Sequence, residues 1–150
     1  MSETAEQPAP QRSPEPRSSS VLLSHISLGV SSYDQSRQFY NAVLATIGGS
    51  CVYDSAKTRT LGYGLASTPH LEALNLFEVQ GAMGFGPGVH LAFNAPSRQA
   101  VVDFWEVAMS DGGYDEGKWG LRKDYGDNYY AAFVRDPDGH KLEAVFQGSE

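Results

Sequence analysis

Apolar and polar residues alternate over positions 21–30, and this period of two predicts a β-strand. One face of the strand carries Ile26, Leu28 and Val30, while His25 lies on the other face among small residues. A face made of large aliphatic side chains packs against another layer of structure. We therefore expect His25 to point away from the layer that covers the apolar face.

A helix is predicted directly after this strand. Ser32 followed by Gln35 three residues later is typical of a capping box at a helix start. Phe39 and Val43 then fall on one stripe at helical spacing, and Gly48 is typical of a helix end. Three further strands are predicted at 50–55, 58–65 and 71–80. The first half of the chain is therefore a βαβββ unit.

The second half of the chain repeats this order of elements. His90 stands 65 positions after His25, in a second stretch of alternating residues. Pro96 and Ser97 then begin a helix that ends near Gly112, and a loop rich in Gly, Asp and Tyr follows. The chain is therefore a tandem repeat of one supersecondary unit.

The last strands are predicted at 129–135 and 141–146. In the final strand Leu142 belongs to the apolar face, and Glu143 lies on the opposite face, as His25 and His90 do in their strands. We predict an α+β fold of two tandem βαβββ modules at about 21–80 and 86–147. His25, His90 and Glu143, all of metal-binding type, then occupy those alternate positions of their strands that face away from the apolar side. We say that such residues have the same parity.

Residues 1–20 differ in composition from the rest of the chain. They contain four prolines and no large apolar residue beyond Met1. Such a segment cannot bury enough surface to offset the entropy lost on ordering. We expect a disordered tail over 1–20 and one domain over 21–150.

The overall charge narrows the classes of partner. A net charge of −7 and a pI near 5.0 argue against nucleic acid and against anionic membranes, because both favour basic surfaces. The single cysteine, Cys51, cannot form an internal disulfide, which is typical of a reducing compartment. With no apolar run of membrane-spanning length, we expect a cytoplasmic protein.

Several segments resemble the vicinal oxygen chelate superfamily, which contains glyoxalase I, extradiol dioxygenases and resistance proteins for bleomycin and fosfomycin. The segments that carry the resemblance are 25–30, 39–44, 88–93, 120–122, 129–133 and Asp136-Pro137-Asp138-Gly139 followed by Glu143. The resemblance implies that the two modules form a cupped mixed β-sheet with helices on its outer face. It also implies a homodimer.

In that superfamily the cup holds a divalent metal ion on residues of the first and last strand of each module. Carried over to this chain, the resemblance implies His25, His90 and Glu143 as metal ligands, with Glu143 also catalytic. Two imidazoles and a carboxylate leave coordination positions open for a substrate with vicinal oxygens. The resemblance leaves Fe, Zn, Ni and Mn as alternatives for the ion.

The fourth ligand position has two candidates. Aligning the apolar residues of strand 71–80 with those of the last strand places Asn75 opposite Glu143, whereas a strict spacing of 65 residues places Glu78 there. We favour Asn75 because the apolar face sets the register of a half-buried strand.

Four further residues are candidates for the lining of the cup: Tyr63, Arg122, Tyr125 and Tyr129. They provide hydroxyls and a guanidinium for an oxygen-rich substrate, although packing of an irregular loop explains them equally well. Two functions stay open at this point. One is a metal-dependent enzyme of glyoxalase or dioxygenase type, hence a lyase, isomerase or dioxygenase. The other is a metal-free protein that sequesters an aromatic or antibiotic-like molecule.

Overall fold

The structure, a computed structural model, describes residues 22–149. The predicted disordered tail, 1–20, lies outside the described residues. The elements in chain order are β1 (Ile26–Val30), α1 (Tyr33–Ala45), β2 (Gly49–Ser55), β3 (Thr60–Leu65), β4 (Glu72–Glu78), β5 (Leu91–Asn94), α2 (Arg98–Ser110), β6 (Tyr114–Leu121), β7 (Tyr130–Arg135) and β8 (Lys141–Phe146).

Each half of the chain forms its own four-stranded sheet with one helix. The strand orders are β1-β4-β3-β2 and β5-β8-β7-β6, so the second sheet repeats the topology of the first. In each sheet the first strand pairs in parallel with the last, and the other pairings are antiparallel. The predicted α+β fold of two βαβββ modules is therefore confirmed.

The helix starts follow the predicted caps. The Ser32 hydroxyl accepts a hydrogen bond from the Gln35 amide at 3.2 Å, and the Ser97 hydroxyl accepts from the Ala100 amide at 3.1 Å. Each bond satisfies one amide that has no partner inside the helix. Both helices run 13 residues, and their buried faces contact the sheets. No helix within residues 22–149 is long and apolar enough to cross a membrane.

The two modules meet through their helices. The helix α1 contacts α2, and one buried cluster contains residues of both modules. The Phe39 ring of α1 packs against Gly113, where the Cβ atom of any other residue would lie only 2.9 Å from the ring. Among the described residues, β1 and β5 form no strand pair with each other. Both strands are therefore sheet edges within the chain.

A buried carboxylate strengthens the contact between the modules. Asp136, which is fully buried, accepts hydrogen bonds from the Tyr40 hydroxyl of α1 at 2.7 Å and from the His140 amide at 2.7 Å. The His140 ring lies 2.9 Å from the same carboxylate. His140 is thus a buried structural residue of the turn between β7 and β8.

The strand β6 was not predicted. The segment after α2 was expected to be a loop, but Tyr114–Leu121 forms the edge of the second sheet. Its pairing with β7 shifts register between Asp115 and Gly117 and again between Gly117 and Gly120. Such irregularities interrupt the apolar alternation by which strands are identified.

Candidate functional site

The strand β8 separates the core from a polar cluster. Leu142 and Ala144 point to the helix side and belong to the core, so Glu143 lies on the opposite face of the sheet. We call this opposite face the site face. Glu143 is flanked there by Ala92 of β5 and Phe133 of β7. Although it is a carboxylate, Glu143 is only 1% exposed.

Two side chains hold the buried carboxylate of Glu143. The His90 Nε2 atom lies 3.0 Å from Glu143 Oε2, and the Tyr129 hydroxyl donates a hydrogen bond to Oε1 at 2.5 Å. Burial, and after it the hydrogen bond to Glu143, raises the pKa of Tyr129 to about 12. The phenol therefore stays protonated at neutral pH and remains a donor. Each oxygen of Glu143 has its own partner.

The other predicted residues of this module lie near the same cluster. The ring of Tyr125 lies 5.3 Å from that of Tyr129. The His90 ring lies 5.9 Å from that of Phe133, in an edge-to-face arrangement. A cavity of about 790 Å³ is lined by His90, Phe133, Tyr125 and Arg122 among others. The structure thus brings Arg122, Tyr125 and Tyr129 to one side of the second sheet with His90.

His25 does not join this cluster within the chain. It is exposed just before β1, and its Nδ1 atom lies 3.1 Å from the Ser24 hydroxyl. Within residues 22–149, no three His, Cys, Asp or Glu side chains are placed to hold a metal ion. The metal site of His25, His90 and Glu143 stays a prediction, and β1 and β5, the strands next to the two histidines, do not pair with each other among the described residues.

Tyr63 requires a correction. It was expected to line the cup, but its side chain points to the helix side of the first sheet and is 2% exposed. Its hydroxyl donates to the Asn41 side chain of α1 at 2.9 Å, and its ring packs on Tyr40. Leu61, two residues earlier on the same face, is fully buried as well. Tyr63 thus belongs to the core of the first module, and it also lines a cavity of about 590 Å³ at the end of α1.

The strand register places Asn75 at the position equivalent to Glu143. Asn75 pairs with Ser27 of β1 just as Glu143 pairs with Ala92 of β5. Its Oδ1 atom is buried and has no hydrogen-bond partner among the described residues. A buried acceptor without a donor is energetically costly, so Asn75 is a candidate to bind a ligand or a metal ion.

Glu78, the alternative to Asn75 for the fourth ligand position, makes structural contacts. Its carboxylate accepts from the Tyr33 amide at the start of α1 at 2.7 Å and from the Arg59 guanidinium at 2.9 Å. The hydrogen bond from Arg59, more than any other contact, lowers the pKa of Glu78. The side chain therefore joins β4 to α1 and β3.

Three residues that lie opposite to the core were not predicted, two on the site face and Glu72 on the corresponding face of the first sheet. Phe133 and Lys141 have the parity of Glu143 and were recognisable from it, since Phe133 pairs with Glu143. Glu72 was not recognisable. A bulge between Tyr63 and Gly64 changes the parity of β4, so the Glu72 carboxylate lies over Gly62, the strand partner of Asn75.

Comparison with known proteins agrees with this fold of paired βαβββ modules. The chain belongs to the Glyoxalase/Bleomycin resistance protein/Dioxygenase superfamily, whose sequence model matches residues 22–144. The resemblance seen in the motifs is thereby confirmed. A search among curated proteins found no match to this chain.

Solved structures show the same fold. A glyoxalase/bleomycin resistance protein from Albidiferax ferrireducens T118 is 28% identical, covers 83% of this chain and 98% of its own, and superposes with a TM-score of 0.71. A glyoxalase-related enzyme from Fulvimarina pelagi is 22% identical, with coverages of 85% and 94% and a TM-score of 0.62. The fosfomycin resistance protein FosX from Listeria monocytogenes is 17% identical, with coverages of 82% and 90% and a TM-score of 0.59.

Proposed function

We propose that this protein is a metal-dependent enzyme in which His90, Glu143 and His25 hold a divalent ion, His25 coming from a second copy of the chain. The observation that carries the proposal is the contact of His90 with Glu143 at 3.0 Å on the site face. Glu143 is buried without a permanently charged partner, which is costly for a structural carboxylate and common in a functional one.

The side chains present fit a metal such as Fe, Zn, Ni or Mn. Two imidazoles and one carboxylate are a donor set of the facial type, which leaves positions open for substrate oxygens. Asn75, with its unpartnered Oδ1 atom, adds a neutral acceptor on the first module. When bound, the ion supplies Lewis-acid polarisation of vicinal oxygens on the substrate.

The protein's own groups would position and exchange a proton. The protonated Tyr129 hydroxyl orients Glu143 through Oε1, which leaves the carboxylate fixed where it can accept a proton from a bound substrate. The Tyr125 and Phe133 rings give this side of the sheet aromatic surface near His90 that a substrate could contact. These roles suit a lyase, an isomerase or a dioxygenase acting on a small molecule.

A homodimer is part of the proposal. Because β1 and β5 are edge strands within the chain, each has backbone groups free to meet another copy. Apposition of β1 from one copy and β5 from the other would bring His25 of the second copy next to His90. We further propose that the enzyme works in the cytoplasm, where Cys51 would stay a free thiol.

Mixing two inactive variants tests both the metal site and the dimer. His25→Ala and Glu143→Gln should each bind metal too weakly alone to retain it through purification, because every shared site lacks one ligand. In a mixed dimer one site loses both ligands and the other is intact, so statistical mixing should restore about a quarter of the wild-type metal content. The measurement is elemental analysis of protein purified without a metal-affinity column, with light scattering for the mass. No recovery on mixing, or a monomer mass, would contradict a shared site.

A pair of variants tests the fourth position. Asn75→Ala should weaken metal or ligand binding and leave the melting temperature nearly unchanged. Glu78→Ala should lower the melting temperature, because α1 loses its contact to Arg59 and β4, and should leave metal content unchanged. Calorimetry and elemental analysis of both proteins give the answer. Loss of metal in Glu78→Ala alone would reverse our assignment.

The second candidate function is metal-free binding of an aromatic or antibiotic-like molecule. It is favoured by a second cavity of about 590 Å³ at the end of α1, whose lining is mostly apolar and includes Leu44, Ile47, Leu71 and Phe93. Such cavities suit hydrophobic ligands. A wild-type protein that stays free of metal after dialysis against each of the four ions, yet binds aromatic ligands, would support this function over the enzyme.

A further inference from the structure

We infer that the substrate carries an anionic group, a carboxylate or a phosphate-type group, which Arg122 and Lys141 bind beside His90. This inference rests on the proposed function, because it takes the cavity next to His90 as the substrate site. Both cations line that cavity.

The two cations lie against the same aromatic ring. The Arg122 guanidinium carbon is 5.7 Å from the centre of the Phe133 ring, and the Lys141 Nζ atom is 5.1 Å from it. The imidazole of His90 contacts this ring too, at 5.9 Å. One side chain of β7 therefore gathers two positive charges and the candidate metal ligand into one place.

Neither cation has a carboxylate partner within residues 22–149. Other arginines are paired: Arg37 with Asp54, Arg59 with Asp34 and Glu78, and Arg135 with Glu116. Acidic residues outnumber Lys and Arg by 18 to 11, so partners for cations are abundant in this chain. Unpaired cations in a cavity are therefore available for an anion from solution.

Residues of the strand β6 hold the side chain of Arg122 in place. Its Nη2 atom donates to the Lys118 carbonyl at 2.6 Å. A side chain at Gly117 or Gly120 would begin 3.3 Å or 3.4 Å from the guanidinium, so the two glycines leave the space in which it lies. A guanidinium has five donors in a planar fork, and one of them is used here. The others match two oxygens of a carboxylate or phosphate.

Two carboxylates also line the cavity. Glu116 is neutralised by its ion pair with Arg135. Asp124 is exposed on the loop after β6, where solvent screens its charge. Arg122 and Lys141 therefore form the cationic side of the cavity. Both lie against the Phe133 ring, which His90 also contacts.

Binding of small probes tests the inference. The probes are benzoate, phenylphosphonate and uncharged benzyl alcohol, titrated into the full-length protein in EDTA and followed by NMR chemical shifts. The two acids distinguish a carboxylate from a phosphate-type preference. We expect at least one of the two acids to bind roughly tenfold more tightly than benzyl alcohol. Its affinity should fall as the salt concentration rises.

The variants Arg122→Gln and Lys141→Gln should each weaken binding of the acids roughly tenfold and leave binding of benzyl alcohol unchanged. Lys123→Gln, which removes an exposed neighbouring charge, is the matched control and should bind as the wild type does. Equal affinity for acids and alcohol, or unchanged affinity in both variants, would overturn the inference. Since EDTA removes the metal, this outcome is separate from metal content, which alone decides the proposed function.

Discussion

Under the proposed function, the variant Glu143→Gln should bind a divalent metal roughly 100-fold or more weakly than the wild type, because even residues that only orient ligands are worth about 10–100-fold. Glutamine has the same shape as glutamate, so the packing of β8 should persist. The neutral amide cannot offer the charged oxygens that now face His90 and Tyr129. Metal content and metal titration measured by calorimetry give the result directly.

The matched control for this variant is Glu106→Gln on the exposed side of α2. It removes the same charge from the protein and touches no residue of the site, so metal binding should be unchanged. The melting temperatures of both variants should stay close to that of the wild type. Full metal affinity in Glu143→Gln would show that the contact with His90 is an ordinary ion pair.

A second large effect is expected on stability. Asp136→Ala should lower the free energy of unfolding by about 3–5 kcal/mol, the usual cost of removing one member of a buried polar pair. The Tyr40 hydroxyl, the His140 amide and the His140 ring would lose their shared acceptor inside the protein. The melting temperature should fall by roughly 10 °C or more.

Two other variants calibrate this loss. Tyr40→Phe removes only one hydrogen bond to Asp136 and should cost about 1 kcal/mol. Asp124→Ala, at an exposed position of the loop after β6, should change stability by less than about 0.5 kcal/mol. Denaturant unfolding of the three proteins gives the comparison. Equal stability of Asp136→Ala and the wild type would show that the contact between α1 and the β7–β8 turn contributes little.

The order of helices and strands followed from local patterns. The caps at Ser32 and Ser97 satisfy amides within a few residues, and such local chemistry is visible in any single sequence. The alternation around Leu142 and Ala144 likewise placed Glu143 on the face opposite to the core. The strand β6 escaped prediction because its bulges break that alternation.

The candidate site was only partly predictable. Tyr129 lies beside Glu143, and Arg122 lines the cavity next to His90. Tyr63 lies on the helix side of its sheet, because β3 presents that parity to α1. Tyr63 has the parity of Leu61, and the other face of β3 carries Gly62 and Gly64, so the alternation already favoured a core position for Tyr63.

The sequence by itself determined the two βαβββ modules and the parity of His90 and Glu143, because each depends on periodicity within a strand. It left Asn75 and Glu78 as alternatives, and the strand register made Asn75 the equivalent of Glu143. Only the tertiary structure decided that the modules meet through α1 and α2 and that β1 and β5 do not pair with each other among the described residues. Packing between modules depends on side chains distant in sequence, and no local pattern encodes it. The same holds for the two cations at the Phe133 ring, which three separate segments bring together.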